Sequence, residues 1–316
     1  MKCKEKTAGG IVLDKKTLGE RIRQQKTLIA FLIPGIVLVL LFNYVPMVGL
    51  VMAFQNYRAN LGWFGSEFVG LAHFREFLSD REFFLALKNT LLISSLLLIF
   101  AFPAPILLAI CLDNIRNVKF KRITQTITYL PHFVSWVVMA GLVYRILDTD
   151  TGVVNYLIRV LGGTPIPFMR TSKYFVPILV VVDVLKEVGW NSIIFLAAIT
   201  GIDQSLYDAA TVDGAGKLGC IWHVTLPGIG PTIGTMLILR VGSMVNVNFD
   251  MIFNMRNAMV YNNALVLSTF VYEKGIMWGK FSYATAVGLV QGLVSVLLVF
   301  ISTRVANRVS GQSYIV

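Results

Sequence analysis

Asp183, Lys186, Glu187, Trp190 and Asn191 interrupt an otherwise apolar stretch of this chain. At helical spacing Asp183, Glu187 and Asn191 fall at i, i+4 and i+8, on one stripe. Carboxylates and an amide so aligned can carry an ion, bond a polar solute, or pair internally, for instance Asp183 with Lys186. Each central charge costs about 2.5–3.5 kcal/mol on insertion scales, against about 0.3–0.6 kcal/mol returned by an apolar residue, so the stripe avoids lipid. A second predicted stripe holds Ser243, Asn246 and Asp250, with Arg240 and Asn248 nearby, and a third holds Gln291 and Ser295. Aromatic and amide groups suit sugars, which present apolar ring faces and many hydroxyls. They equally bond membrane helices to one another. Catalysis of the two-aspartate protease kind is disfavoured: Tyr207-Asp208 imitates half of that signature, but it stands in a polar loop and no Gly-x-Gly-Asp follows. Cys3, Cys111 and Cys220 have no paired spacing, so free thiols are expected, with neither disulfides nor a metal site.

These residues need long apolar elements to position them, and the composition supplies such elements. Of 316 residues 56% are hydrophobic, and the mean hydropathy is +0.70, more than a water-soluble core hides. The apolar residues gather into blocks at about 28–54, 87–112, 123–147, 174–201, 228–248 and 283–303, each long enough to span hydrocarbon as a helix. The reading is an all-α polytopic membrane protein with about six transmembrane helices, because lipid offers no partner to unpaired backbone. Residues 1–27 form a polar, retained tail, and 28–316 form one membrane domain. Six spans place both termini on one side. That side carries fifteen Lys and Arg in its tail and loops against nine on the other, so it is expected to be cytoplasmic. The net charge of +11 thereby reads as topology and not as a nucleic-acid surface. Among the external connections, 249–282 contains an apolar stretch at Ala264 to Val271, too short to span, which suggests a re-entrant or interfacial helix. Pro34, Pro46, Pro103, Pro105, Pro177 and Pro231 fall within spans, where proline permits a kink.

The cytoplasmic connection at 202–227 is the most informative stretch. Tyr207-Asp208-Ala209-Ala210-Thr211-Val212-Asp213-Gly214-Ala215-Gly216 reads as a short helix capped by Asp203 or Ser205, slim at Ala209 and Ala210, and turned at Gly214. A slim helix here suits docking into a partner's groove. With Leu226-Pro227 downstream, the stretch resembles the coupling loop of binding-protein-dependent ABC importer permeases: EAA, three residues, G, nine residues, I, one residue, LP. Ala209, Ala210, Gly214, Leu226 and Pro227 match. Asp208 stands where the family has Glu, and Val224 and Thr225 fill the positions around the family's isoleucine. The resemblance extends to Phe68-Val69-Gly70-Leu71, Asn89-Thr90-Leu91, Tyr129-Leu130-Pro131 and Phe281 to Leu289. These look like sugar permeases, and with Asn246 to Asp250 like the branch that imports oligosaccharides released from polysaccharides.

The resemblance implies a maltose-type permease fold and a subunit that does no covalent chemistry itself. It implies a second, similar permease subunit, two cytoplasmic ATP-binding subunits that bind ATP and magnesium, and an extracytoplasmic solute-binding protein. Asp208, Ala209, Ala210, Asp213, Gly214, Ala215, Leu226 and Pro227 are then the ATPase-coupling residues. Asp183, Glu187, Trp190, Asn191, Ser243, Asn246, Asn248, Asp250 and Gln291 are the candidates for the sugar's path. The alternatives are an ion-coupled secondary transporter working through Asp183 and Glu187, or an ABC permease for a non-sugar solute.

Overall fold

The computed structural model describes residues 25–310, so seven of the eight basic residues expected in the cytoplasmic tail, together with Cys3, lie outside the described residues. The chain divides into two compact units, Met1–Val51 and Met52–Val316. In the first, α1 (Lys26–Val39) continues through Pro34 into a π turn at Leu40–Tyr44 and a 3-10 stretch at Val45–Phe54. The winding changes around Pro46, which lacks the N–H that a continuing α-helix would donate to Phe42. Ala30–Phe54 is nonetheless long and apolar enough to cross a membrane.

The second unit opens with a two-residue antiparallel pairing of β1 (Gln55–Asn56) and β2 (Glu67–Phe68), followed by α2 (Ala72–Leu78). α3 (Arg81–Phe100) starts six residues before the expected block because Asp80 caps it, accepting from the Glu82 N–H at 2.8 Å. α4 (Pro103–Asp113) prolongs α3 into a single apolar element, Arg81–Asp113. Pro103 sits at the first position of α4, where a missing donor costs nothing.

The expected third span, 123–147, is not one helix. α5 (Val118–Tyr129) runs into a 3-10 turn at Leu130–Phe133, and α6 (Trp136–Ile146) leaves it at 104°. Val134 and Ser135 are extended, and the Ser135 hydroxyl caps α6 by accepting from the Val138 N–H at 3.3 Å. Two residues of extended backbone in mid-span are tolerated only where other protein groups satisfy them.

After α7 (Val153–Val160), the 29-residue α8 (Ser172–Thr200) forms the fourth block. It packs against α3 and α6 through Ile93, Leu97, Val143, Leu179 and Val182, and against α4 through Ile106, Ile110, Phe195 and Ile199. The loop after it contains α9 (Gln204–Val212), α10 (Lys217–Cys220), a π turn at Ile221–Thr225 and the turn Leu226–Gly228. α11 (Gly230–Gly242) departs at 61° from this last segment. At 13 residues it is about 20 Å long, short of a 30 Å hydrocarbon core.

The fifth block therefore differs from expectation as well. α11 ends at Gly242, residues 243–248 are non-helical, and α12 (Phe249–Met255) starts afresh at Asn248. Ser243, Asn246 and Asp250 consequently do not share a helical stripe. The short apolar stretch in the following connection is a buried helix, α13 (Leu267–Tyr272), and α14 (Phe281–Ser310) closes the described chain. α2, α3, α13 and α14 meet in an aromatic cluster of Phe77, Phe83, Phe270 and Tyr283.

Candidate functional site

α8 carries Asp183, Glu187 and Asn191 to one side, as their spacing dictates, and all three line a cavity of about 600 Å³. The opposite wall comes from the segment where α11 stops: Arg240, Ser243, Asn246 and Asn248. Ser94 of α3 adds a hydroxyl, which donates to the Met244 carbonyl, and Phe102 and Phe195 add apolar ring surface. The unwinding after Gly242 is what turns these amides inward. Residues a helix would distribute around its circumference are brought together by a non-helical run.

Each polar group has a distinct anchor. Asn248 caps α12 by accepting from the Met251 N–H at 3.1 Å. Asn246 donates to Ser295 Oγ at 3.2 Å and accepts from Gln291 Nε2 at 2.7 Å, so α14 braces it. Ser243 Oγ turns back to the Arg240 carbonyl at 2.9 Å. Glu187 Oε2 stands 2.7 Å from His132 Nδ1, and Lys186 lies 3.5 Å from Glu187 Oε1. Of the alternatives, the internal Asp183–Lys186 pair does not form: i and i+3 share a face, but Lys186 turns to the third-span backbone and to Glu187. Asp183 from α8 and Arg240 from α11 both line the cavity.

Three other candidates lie outside the wall. Trp190 stacks face to face on His132, centroids 4.5 Å apart and planes within 1°, and meets Phe133 edge-on. Asp250 is in the first turn of α12, its carbonyl accepting from Asn254. Gln291 braces Asn246 from behind. Helical spacing placed Trp190 and Asp250 near the right elements, but not facing the space between them. Arg240, which the sequence places beside the second stripe, and Ser94 belong to the wall, and in the pair Ser94-Ser95 nothing in the sequence says which hydroxyl faces the cavity.

The loop at the end of α8 has its own geometry. Asp203 caps α9, accepting from the Ser205 N–H at 2.9 Å, and this bond holds its carboxyl below the usual carboxylate range. α9 ends with a paired closure: the Gly214 N–H donates to the Thr211 carbonyl at 3.1 Å, and the Ala215 N–H to the Ala210 carbonyl at 2.9 Å. That is the glycine-terminated helix end that needs a left-handed residue, and Gly214 has φ +83°. Asp213 closes the helix through its N–H to the Ala209 carbonyl at 3.0 Å, and Asp208 accepts from Gln204 Nε2 at 3.5 Å. Tyr207 OH and Thr225 Oγ1, 3.0 Å apart, tie α9 to the returning arm. Leu226 packs with Ile202, Ile221 and Ile229, and Pro227 sits in the first turn of its helix, so the Leu-Pro pair anchors the loop. The exposed apolar side chains here are Leu206, Val212, Leu218 and Trp222, with Val212 88% exposed. Scattered apolar residues in a polar loop carry no periodic signal, so these four stand out less in the sequence than the paired alanines do.

The family profile described as binding-protein-dependent transport system inner membrane component matches residues 101–312. Protein LplB of Bacillus subtilis (strain 168) is 42% identical, covering 91% of this chain and 90% of its own. The polygalacturonan/rhamnogalacturonan transport system permease protein YteP of the same organism is 43% identical, covering 93% and 92%. Among solved structures, a chain from the crystal structure of a bacterial alginate ABC transporter, in complex with an alginate pentasaccharide-bound periplasmic protein, superimposes with a TM-score of 0.86. It is 36% identical and covers 94% of this chain and all of that one. With an all-α membrane fold, a polar cavity beside the fourth span, a glycine-terminated loop following it and a profile matched over most of its length, the chain belongs to the family of binding-protein-dependent transport system inner membrane components.

Proposed function

We propose that this chain is the permease subunit of an ATP-driven importer that moves a sugar, an oligosaccharide, across the cytoplasmic membrane by alternating access. The observation that carries the reading is that one helix, α8, bears the polar cavity along its length and leads directly into the glycine-terminated loop. Motion transmitted through the loop thus reaches the cavity wall without an intermediary. Amides, hydroxyls and carboxylates beside Phe102 and Phe195 suit a solute with many hydroxyls and apolar ring faces.

The remaining parts follow from the family. A second, similar permease completes the pathway, one of two ATP-binding subunits docks on this loop through Leu206, Val212, Leu218 and Trp222, and the pair binds the ATP and magnesium. An extracytoplasmic solute-binding protein delivers the sugar. Both termini are cytoplasmic, by the excess of basic residues on that side. Relatives named for polygalacturonan, rhamnogalacturonan and alginate favour an oligosaccharide over an amino acid or peptide. An ion-coupled carrier would need no coupling loop. The test is ATP hydrolysis by the complex in proteoliposomes, with its binding protein and a panel of neutral and uronate oligosaccharides. Stimulation by at least one oligosaccharide is expected. Uptake that follows an imposed proton or sodium gradient without ATP would overturn the reading.

A further inference from the structure

The break in the third span leaves backbone that a continuous helix would satisfy. With Val134 and Ser135 extended, the Pro131 carbonyl keeps only a bond from the Val134 N–H at 3.2 Å, the His132 carbonyl has no backbone donor among the described residues, and hydrocarbon supplies none. Lys186 reaches across from α8 to fill the gap. Its Nζ donates to the His132 carbonyl at 2.6 Å and lies 3.4 Å from that of Pro131. The same ammonium sits 5.3 Å from the ring centroid of Trp136, the first residue of α6. One charge thus touches both limbs of the bend, and its side chain is only 5% exposed.

A buried ammonium is stable only while it is bonded and paired. The counter-ion is Glu187, at 3.5 Å, which bonds His132 at 2.7 Å through its other oxygen and is itself part of the cavity wall. His132 is in turn fixed by the stacked Trp190. Cavity, counter-ion, ammonium and break therefore form an unbroken series of contacts.

We infer that Lys186 and Glu187 form a clamp through which an occupied cavity acts on the bend of the third span. Lys186 is a positioning residue for the break. Hydroxyls of a solute that bond Glu187 compete with His132 and Lys186 for the same two oxygens, and charge-assisted bonds of this kind are of comparable strength. Whatever lowers the clamp's hold on the bent arrangement must, by reciprocity, make solute affinity depend on that arrangement. The identity of the occupant rests on the sugar-import reading; the clamp on the break does not.

The bend itself can be measured. In the assembled complex, with the three cysteines replaced by serine, spin labels are placed at Arg122→Cys and Ile146→Cys. At 1.5 Å rise per residue the two Cα atoms lie about 36 Å apart in a straight helix. At the observed 104° they lie about 22 Å apart. Without sugar, Lys186→Met is expected to shift the distance distribution upward by about 5 Å or more, whereas Lys186→Arg and Asn191→Leu keep the short distance. An oligosaccharide that stimulates ATP hydrolysis is expected to produce the same shift in the wild type, and its stimulation is expected to fall at least threefold in Lys186→Met. A wild-type distribution in Lys186→Met overturns the clamp. Should that variant fail to assemble, Glu187→Gln decides, and an unchanged distribution there overturns it equally. If no oligosaccharide stimulates the wild type while Lys186→Met still shifts the distance, the import reading falls and the clamp stands.

Discussion

At the scale of single residues, Gly214 shows how conformation and bulk can be told apart. A Cβ added there would meet nothing within 4 Å, yet the residue sits at φ +83°. Any penalty is thus backbone strain, about 1–2 kcal/mol for an ordinary L-residue and less for Asn. Gly214→Val is expected to reduce copurification of the ATP-binding subunit and sugar-stimulated hydrolysis more than tenfold, Gly214→Ala less, and Gly214→Asn least. Equal losses in all three would mean that space at the docking surface matters and conformation does not. Asp208→Glu should be tolerated, since Asp208 is exposed and the bond it accepts from Gln204 is long, at 3.5 Å. A second pair separates pathway from scaffold. Asn246 bonds Ser295 and Gln291, whereas the Asn191 side chain makes no hydrogen bond among the described residues. Asn191→Leu is expected to lower uptake with little change in thermal stability. Asn246→Leu should lower both, the stability by about 1 kcal/mol, since interhelical bonds average about 0.6 kcal/mol each. Uptake by Asn191→Leu at the wild-type rate per molecule would remove that residue from the solute's path.

At the scale of elements, the third and fourth spans are held together by a backbone contact that leaves no room for a side chain. A Cβ on Gly189 would fall 2.0 Å from the Thr128 carbonyl oxygen, so α8 and α5 can approach only because residue 189 has none. Gly189→Ala is expected to cost about 1–3 kcal/mol of overpacking, read as a lower unfolding temperature and yield. Gly141→Ala in α6, where a Cβ meets nothing within 4 Å, should be neutral or stabilising. Equal effects would remove the close approach as the cause. Most of these elements were legible in the sequence. Uninterrupted apolar blocks mark helices, and the i, i+4, i+8 spacing of Asp183, Glu187 and Asn191 survives folding because α8 is continuous across them. What was not legible is where a helix stops inside an apolar block. Polar residues after Gly242 read equally as a stripe on a continuing helix, and Tyr129-Leu130-Pro131 announces a proline without announcing that two extended residues follow. The stripe drawn through Ser243, Asn246 and Asp250 failed for that reason. Ser243 and Asn246 still reached the cavity through the non-helical run, while Asp250 did not. Trp190 failed differently: its helix is where periodicity puts it, but His132 captures the ring.

At the scale of the whole molecule, the helices that cross the membrane are distinguished by what they leave uncovered. Arg81–Asp113 and Phe281–Arg308 are apolar enough to span on length and composition alone, and Leu92, Ile99, Leu107, Leu293 and Leu297 stay exposed on them for lipid or a neighbouring subunit to cover. α8 is excluded from that class by its own charges, and those charges are the ones that face inward. This sorting makes the orientation testable as a single proposition, because every loop must fall on the side its parity assigns. In the chain without its native cysteines, Thr164→Cys and Ala258→Cys should react with an impermeant maleimide from outside intact cells, and Val212→Cys only after the membrane is opened. Thr164 is the better reporter than its neighbour Gly163, where a Cβ would fall 2.8 Å from Ile158 Cγ2. All three chosen positions are exposed in this chain, and expressing it without the ATP-binding subunits keeps Val212 uncovered, so failure to label cannot be put down to burial. The pattern also constrains the unwound fifth span. If α11 and the run after it carry the chain outward, Ala258 and Thr164 must label from the same side although a bent element and the whole of α8 and its loop lie between them. Labelling of Ala258→Cys from inside alone, with Thr164→Cys outside, would mean that 230–255 turns back without crossing. The cavity walled by Arg240, Ser243, Asn246 and Asn248 would then open to one side of the membrane only.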